Sequence, residues 1–355
     1  MFYLKYRPRT IEEIDNSRVK DILKKILESK ELPHALLFVG QKGTGKTSAA
    51  RIFAKAVNCL NNRFTFTNKT TLRVTNHSVE PCNQCKNCVS ITNSSFTDVL
   101  ELDAASNRGI EEVKNLIKET AFFPMVGNYR VFIIDEAHMI TPDGFNALLK
   151  TLEEPPSSAI FILATTNLDK LPKTIVSRCV KVNFGKAKKE DIVQMLKRIL
   201  TQEKTNYDRS ILNLIAKHSE NSFRDAAKIL EEFILQKIID KESAEKFLGI
   251  LGKGNILEII EKNDTKAVLN WIEEFNQAGG DFKNLIEDLL NQLRELLLAK
   301  KGVLVEEKVE TNFKTSDLVL LIKLLMEAYQ SLRSTPIDSL PLEIAIMEFY
   351  NKKSS

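Results

Sequence analysis

The chain has 355 residues and a formal net charge of +4, and its length favours two or three domains. Its 13 glycines and 10 prolines are about half the usual share, which favours a mostly helical chain. No apolar run approaches the ~18 residues that a membrane span needs, and no apolar segment follows the basic N-terminus. We therefore expect a cytoplasmic protein rather than a membrane or secreted one.

Five apolar runs alternate with segments of helical periodicity, which predicts a parallel α/β sheet. The runs are residues 35–39, 99–102, 131–134, 160–164 and 180–184. Polar residues follow the first four runs, and ligands of open parallel sheets bind outside the carboxyl ends of the strands. We expect these polar residues to converge at one edge. Later in the chain only helical periodicity remains, with helices predicted at residues 191–200, 209–218, 223–239, 282–299 and 318–331.

The first run leads into the pattern Gly-x-x-x-x-Gly-Lys-Thr, and a helical segment follows it, which is the context of a phosphate-binding loop. Backbone N–H groups of such a loop and the helix N-terminus behind it suit phosphate oxygens. We expect Lys46 to reach the β- and γ-phosphates and the Thr47 hydroxyl to coordinate Mg²⁺. The predicted loop consists of Gly40, Gln41, Lys42, Gly43, Thr44, Gly45, Lys46 and Thr47.

The third run ends in two carboxylates, Asp135 and Glu136. At such a strand end one acid helps to hold Mg²⁺ through water, and the next polarises the attacking water. We assign Asp135 to the metal and Glu136 to catalysis. Because many strands finish in an acidic residue, this assignment depends on the phosphate loop that precedes it in the chain.

Four cysteines form a second group, in which Cys82, Cys85 and Cys88 are each separated by two residues. In a cytoplasmic chain this spacing favours metal ligands over disulfides. Four thiolates would make a closed tetrahedral Zn²⁺ site, which is a structural and not a catalytic arrangement. The fourth ligand is expected to be Cys59, with His77 as its rival.

Three arginines are candidates by placement alone, and each could also be an ordinary surface residue. Arg178 lies between a helical stretch and a strand, from where its guanidinium could reach the γ-phosphate of a neighbouring subunit. Arg224 begins a helix beyond the sheet and could reach back to the nucleotide. Arg108 is a candidate for contact with nucleic-acid phosphate, which the positive charge excess of the first 185 residues permits.

The phosphate loop, the cysteines and several further motifs in residues 4–230 resemble those of one protein family. The further motifs are Tyr6-Arg7-Pro8, Pro33-His34-Ala35, Asp103-Ala104-Ala105-Ser106, Asp135-Glu136-Ala137-His138-Met139, residues 145–156, Ala164-Thr165-Thr166-Asn167 and Ser177-Arg178-Cys179. In these motifs the chain resembles the gamma/tau subunits of bacterial DNA polymerase III, the ATPases of the sliding-clamp loader in the AAA+ superfamily. The run at residues 145–156 is highly specific to clamp loaders.

The resemblance implies an α/β P-loop AAA+ domain with a parallel five-stranded sheet at residues 1–185, containing an inserted zinc module at 59–88. A small helical lid at 186–244 and an all-α collar at 245–350, which joins subunits into an open ring, would follow. The chain ends at Ser355, soon after the expected collar. It therefore resembles a short form without the tail that binds polymerase and helicase in longer members.

The resemblance also implies the roles of four side chains. Arg178 would be an arginine finger acting in trans, Asn167 or Thr166 the sensor of the γ-phosphate, and Arg224 the second sensor. One motif departs from the family: Ile14-Asp15-Asn16 stands where a Val-Gly-Gln box usually lies beside the adenine. The adenine contacts near this segment therefore stay open.

The expected function is that of an ATPase subunit, without a polymerase active site, that loads the sliding clamp onto primer-template DNA. The implied cofactors are ATP, Mg²⁺ and Zn²⁺. The implied partners are the sliding clamp, DNA, delta-like and delta-prime-like subunits and further gamma/tau copies. Two alternatives stay open: a non-hydrolysing structural subunit of the loader, and a helicase suggested by the segment that begins at Asp135.

Overall fold

The computed structural model describes residues 1–62, 66–67, 71–72, 78–106, 110–248, 253–277, 279–302 and 312–353. The chain divides into two compact units, Met1–Lys237 and Ile238–Ser355. In the described part of the chain, every helix is too short or too polar to span a bilayer. The boundaries predicted near residues 186 and 245 stay predictions, since the first unit holds the sheet together with the three helices that follow it.

The first unit combines a sheet with flanking helices. Its strands are β1 (Ala35–Gly40), β2 (Phe66–Thr67), β3 (Thr71–Leu72), β4 (Val99–Asp103), β5 (Arg130–Asp135), β6 (Ala159–Thr165) and β7 (Val180–Gly185). Its helices are α1 (Phe2–Lys5), α2 (Ser17–Glu28), α3 (Lys46–Asn58), α4 (Lys86–Thr92), α5 (Ile110–Glu119), α6 (Pro142–Glu153), α7 (Lys173–Val176), α8 (Lys189–Glu203), α9 (Arg209–His218) and α10 (Phe223–Leu235), with a 3₁₀ turn at Ala137–Met139.

Five of the strands form one parallel sheet in the order β4-β5-β6-β1-β7, while β2 and β3 form a separate antiparallel pair. The predicted five-stranded parallel sheet is thereby confirmed. Strand β1 lies between β6 and β7, and β5 lies on the other side of β6. The phosphate loop and the acidic strand end therefore leave the same edge of the sheet.

Alternate side chains of the central strands pack into two apolar cores, one on each face of the sheet. On one face, Phe38 and Ile133 pack with residues of α2 and α3. On the other, Leu37 and Phe132 pack with residues of α6. Because successive strand residues point to opposite faces, both faces must be covered, and the strands therefore read as continuous apolar runs.

The second unit is helical, as predicted, and has its own apolar core. Its helices are α11 (Lys241–Phe247), α12 (Lys253–Glu261), α13 (Thr265–Gln277), α14 (Phe282–Lys300), α15 (Thr315–Ser331) and α16 (Leu340–Lys353). The helix predicted at 209–218 is confirmed. The one predicted at 223–239 ends at Leu235, because Lys237 adopts a left-handed backbone conformation with φ of 55° that a helix cannot continue through.

Two buried polar side chains hold the loop that leads into β5. The carboxylate of Asp98 is fully buried and accepts backbone N–H bonds from Met125, Val126 and Gly127 at 2.7–2.8 Å. The Oδ1 atom of Asn58 accepts the N–H groups of residues 128 and 129 at 2.8 and 2.9 Å. Since β5 carries the acidic pair, this loop fixes where that strand begins.

We predict that Asp98→Ala lowers the free energy of unfolding by about 2–4 kcal/mol, because three backbone N–H donors lose a buried, charged acceptor. Chemical denaturation measures the change. Asp21→Ala, which removes an exposed carboxylate of α2, serves as the control and should change stability by less than about 0.5 kcal/mol. Equal effects of the two substitutions would contradict the role of Asp98.

Candidate functional site

The phosphate loop connects β1 to α3 in a conformation that needs its glycines. Gly43 and Gly45 have φ of +77° and +93°, in the left-handed region that favours glycine. A Cβ atom on Gly43 would lie 1.9 Å from Ser222 Oγ, so a side chain is also excluded by space. The loop is thereby held against the start of α10, where the Arg224 N–H lies 3.4 Å from the Gly43 carbonyl oxygen.

Lys46 begins α3 and is only 5% exposed. Its ammonium group donates to the carbonyl oxygens of Gly40 and Gln41 at 2.9 and 2.8 Å. Burial lowers the pKa of Lys46, and the negative charges of Glu136 and Asp135 oppose that shift. A lysine held in this way places a positive charge beside the N–H groups of the loop, which suits a polyphosphate.

The acidic pair meets the loop directly. The Thr47 hydroxyl donates to Asp135 Oδ2 at 2.5 Å, so the two residues predicted to hold Mg²⁺ are in contact. Glu136 has a positive φ of 46°, an uncommon conformation for a residue with a side chain. Its Oε2 atom accepts the Thr166 hydroxyl at 3.0 Å and lies 3.3 Å from His138 Nδ1.

The two predicted γ-phosphate sensors differ in their contacts. Thr166 is bonded to Glu136, which ties β6 to the acidic end of β5. The Asn167 backbone exchanges hydrogen bonds with the Thr165 hydroxyl at 3.0 Å, and its side-chain Oδ1 accepts the Asp169 N–H at 3.2 Å. The Asn167 side chain thus organises its own loop.

A cavity of about 340 Å³ lies beside these residues. Its polar wall is the loop from Lys42 to Thr47 with Asp135 and Glu136, and its apolar wall includes Met195 and Ile199 of α8. Among the described residues predicted for the nucleotide site, those that do not line this cavity are Gly40, Gln41, Thr166, Asn167 and Arg178.

Residues Ile14, Asp15 and Asn16, whose contacts the sequence left open, also line the cavity. Asp15 pairs with Arg198 through contacts of 2.8 and 3.1 Å, and burial raises its pKa to about 6. The Asn16 side chain caps α2 and donates to the Phe184 carbonyl oxygen at 2.9 Å. Both side chains therefore already bind other protein groups.

Sequence reasoning assigned no role to the N-terminal segment, although Tyr3 and Arg7 line the cavity. The Arg224 guanidinium lies 4.6 Å from the centre of the Tyr3 ring, within range of a cation–π contact. Arg7 Nε donates to Ser48 Oγ at 2.7 Å, and burial lowers the pKa of Arg7. The Tyr6-Arg7-Pro8 motif is the sequence feature from which this part of the cavity wall could have been predicted.

Arg178 is exposed and lies after α7, as its sequence position predicted. Its guanidinium donates to the Thr174 carbonyl oxygen at 2.7 Å and pairs with Glu153 at the end of α6. The side chain is therefore oriented by two groups on the surface of its own unit. Arg108 and His77 lie outside the described residues.

The four cysteines come together although Cys59 is far from the others in sequence. The sulfur atoms of Cys59, Cys82, Cys85 and Cys88 all lie within 4.8 Å of one another. Backbone N–H groups of Cys82, Cys85 and Cys88 point at the sulfurs of Cys59, Cys82 and Cys85 at 3.3–3.5 Å. Such donors stabilise thiolates, and hydrogen bonding from Cys88 lowers the pKa of Cys59. The donor set fits a tetrahedral metal ion.

Comparison with known proteins gives consistent matches. A family model described as DNA polymerase III, delta subunit, matches residues 15–188. The tau subunit of DNA polymerase III from Bacillus subtilis is 35% identical over 98% of this chain, which spans 62% of that protein, less than two thirds of its length. The gamma subunit from Buchnera aphidicola subsp. Acyrthosiphon pisum is 30% identical over 97% of this chain and 96% of that protein.

Among solved structures, the RuvB Holliday junction branch migration motor of Thermotoga maritima is 18% identical, with a TM-score of 0.47 over 73% of this chain and 80% of that one. That score is too low to establish a shared fold by itself. The sequence matches extend over almost the whole chain and, for the Buchnera protein, over almost the whole relative. The chain therefore belongs to the family of DNA polymerase III gamma/tau subunits.

Proposed function

We propose that this chain is an ATPase subunit of the DNA polymerase III clamp loader, which uses ATP binding and hydrolysis to load the sliding clamp onto primer-template DNA. The observation that carries this proposal is the hydrogen bond of 2.5 Å between Thr47 and Asp135. It joins the phosphate loop to the acidic strand end at a cavity with an apolar wall. Membership in the family of DNA polymerase III gamma/tau subunits supports a place in that polymerase's assembly.

Each wall of the cavity has a role in this proposal. The N–H groups of the loop and Lys46 bind the phosphates, while the apolar side chains of α8 pack against the base. Mg²⁺, held by Thr47 and Asp135, would offset the charge of the β- and γ-phosphate oxygens. Glu136 then orients and polarises the attacking water, and Thr166 positions Glu136 through its hydroxyl.

Arg224 links the nucleotide to the helices that follow the sheet. It lies at the start of α10, beside the phosphate loop, and lines the cavity. A phosphate that draws the guanidinium away from the Tyr3 ring would couple the nucleotide to α10, because the Arg224 backbone also contacts Gly43 of the loop. This is the coupling expected of a second sensor, which would let ATP set the position of the lid.

An exposed apolar segment offers a surface for the sliding clamp. Phe122, Phe123, Met125 and Val126 are 60%, 80%, 78% and 51% exposed, and Asp98 fixes the backbone of the last two. Four adjacent apolar side chains held toward solvent on an ordered loop are typical of a protein-binding surface. We propose that this segment, residues 122–126, contacts the clamp.

The four-cysteine cluster is proposed to bind Zn²⁺ as a structural ion. Four thiolates leave no open position on a tetrahedral ion. The sulfurs lie at the C-terminal end of α3 and around the N-terminus of α4, so that the ion would bind these two elements together.

The first prediction from this proposed function concerns turnover. In a loader assembled with its partners, Glu136→Gln is expected to lower ATP hydrolysis by about 100-fold or more while nucleotide binding is kept, because only the activation of water is lost. Steady-state phosphate release and titration with a fluorescent ATP analogue measure the two effects. Lys46→Ala is expected to weaken binding itself.

Two controls separate the parts of this prediction. Glu111→Gln changes an exposed carboxylate of α5 and should leave turnover unchanged. Phe123→Ser should leave basal turnover unchanged but reduce its stimulation by the clamp and primed DNA. Undiminished turnover by Glu136→Gln would overturn the catalytic assignment, and absence of nucleotide binding by the unchanged chain would favour the structural-subunit alternative.

The second prediction tests whether Arg178 acts across a subunit boundary. Arg178→Ala and Glu136→Gln are each expected to lose at least about 100-fold in turnover. A mixture of both variants should recover part of the activity, because a site that keeps Glu136 can receive Arg178 from its neighbour. Glu153→Gln, which removes the ion-pair partner of Arg178, should remain active. Failure of the mixture to recover would contradict action in trans.

The third prediction concerns the metal. The purified chain is expected to contain about one zinc ion, measured by elemental mass spectrometry, and Cys59→Ser or Cys85→Ser should lose most of it. His77→Ala should retain it. Zinc that survives Cys59→Ser but not His77→Ala would make His77 the fourth ligand.

A further inference from the structure

We propose that the cysteine module, Cys59 with residues 78–92, positions the nucleotide cavity by holding an N-terminal strap, residues 2–12. Loss of the metal would then weaken nucleotide binding, although none of the four cysteines is among the described residues that line the cavity. This inference rests on the proposed function in one respect, that the cavity binds a nucleotide. It gives the metal module a role in the nucleotide site.

The first link joins Glu80 to the strap. Its two carboxylate oxygens accept the backbone N–H groups of Ile11 and Glu12 at 2.8 and 3.2 Å. Hydrogen bonds to an ionised acceptor are stronger than neutral ones. Val79 is buried in the same apolar core as Ile11, so the link is packed as well as hydrogen-bonded. Glu80 lies two residues before Cys82, and its position therefore follows the chain that leads into the metal site.

The second link is a buried lysine. Lys55 of α3 is only 4% exposed, and its ammonium donates to the Arg9 carbonyl oxygen at 2.7 Å and to Asn83 Oδ1 at 2.6 Å. Asn83 lies in the turn between Cys82 and Cys85 and has a φ of 55°. A buried ammonium needs such partners to offset its lost hydration. One cation thus fastens the strap to the turn that carries two of the four sulfurs.

The strap continues from these anchors into the cavity. Its residues Tyr3, Tyr6 and Arg7 line the cavity, and Arg7 is bonded to Ser48, which follows the phosphate loop. The strap also reaches the helices beyond the sheet, since the Phe2 N–H donates to Glu231 of α10 at 2.9 Å and Lys5 pairs with Glu203 of α8 at 2.7 Å.

The strap therefore has anchors at both ends, with the cavity wall between them. Without a metal, the four sulfurs have no shared ligand to hold the turn at Asn83 and the segment at Glu80 in place. The wall formed by Tyr3 and Arg7 would then occupy its binding conformation only part of the time. The apparent affinity for the nucleotide falls in proportion to the fraction of molecules whose cavity wall is in the binding conformation.

The test uses the full chain with its metal, Glu80→Ala, and Glu31→Ala as the control, since Glu31 is exposed between α2 and β1. We expect Glu80→Ala to keep its zinc, to bind a fluorescent ATP analogue about tenfold more weakly, and to exchange amide hydrogens faster at residues 2–12. Chelator-treated unchanged chain should show the same two effects. Glu31→Ala should match the unchanged chain in all three measurements.

The outcomes separate the strap from the proposed function. If the unchanged chain binds no nucleotide, the proposed function fails, whereas exchange at Ile11 and Glu12 still reports on the strap. Slow exchange at these two amides in both Glu80→Ala and the metal-free chain would overturn the inference. So would an unchanged dissociation constant in a Glu80→Ala chain that retains its zinc.

Discussion

Burial of a parallel sheet on both faces is the constraint on which the rest of this structure depends. Strands β1, β5 and β6 are covered by apolar cores on each side, so polar chemistry is confined to their carboxyl ends. The phosphate loop follows β1 and the acidic pair follows β5. The hydrogen bond between Thr47 and Asp135 is the point where these two strand ends meet.

Polar contacts extend from this edge into the rest of the first unit. Thr166 connects the end of β6 to Glu136, and the tight approach of Gly43 to Ser222 connects the loop to α10. Farther away, Asp98 and Asn58 fix the loop before β5. Polar side chains therefore set the positions of neighbouring segments at both ends of the strands, as apolar packing does between them.

The cysteine cluster and the cavity are parts of one arrangement around α3. This helix begins with Lys46, at the phosphate loop, and ends beside Cys59. Between them Lys55 projects to the strap. A structural metal at one end of a helix and a nucleotide at the other would both restrain the same N-terminal segment.

The sequence by itself determined the apolar strands, the phosphate loop and the three closely spaced cysteines, because each depends on local pattern or on spacing along the chain. It also predicted the helix at 209–218. It extended α10 past Leu235, because the left-handed backbone at Lys237 that ends the helix does not change the pattern of apolar residues. Only the tertiary structure brought Cys59 to the other cysteines and placed Tyr3 and Arg7 at the cavity. Those contacts join segments far apart in sequence, and they exist only after the sheet has brought those segments together.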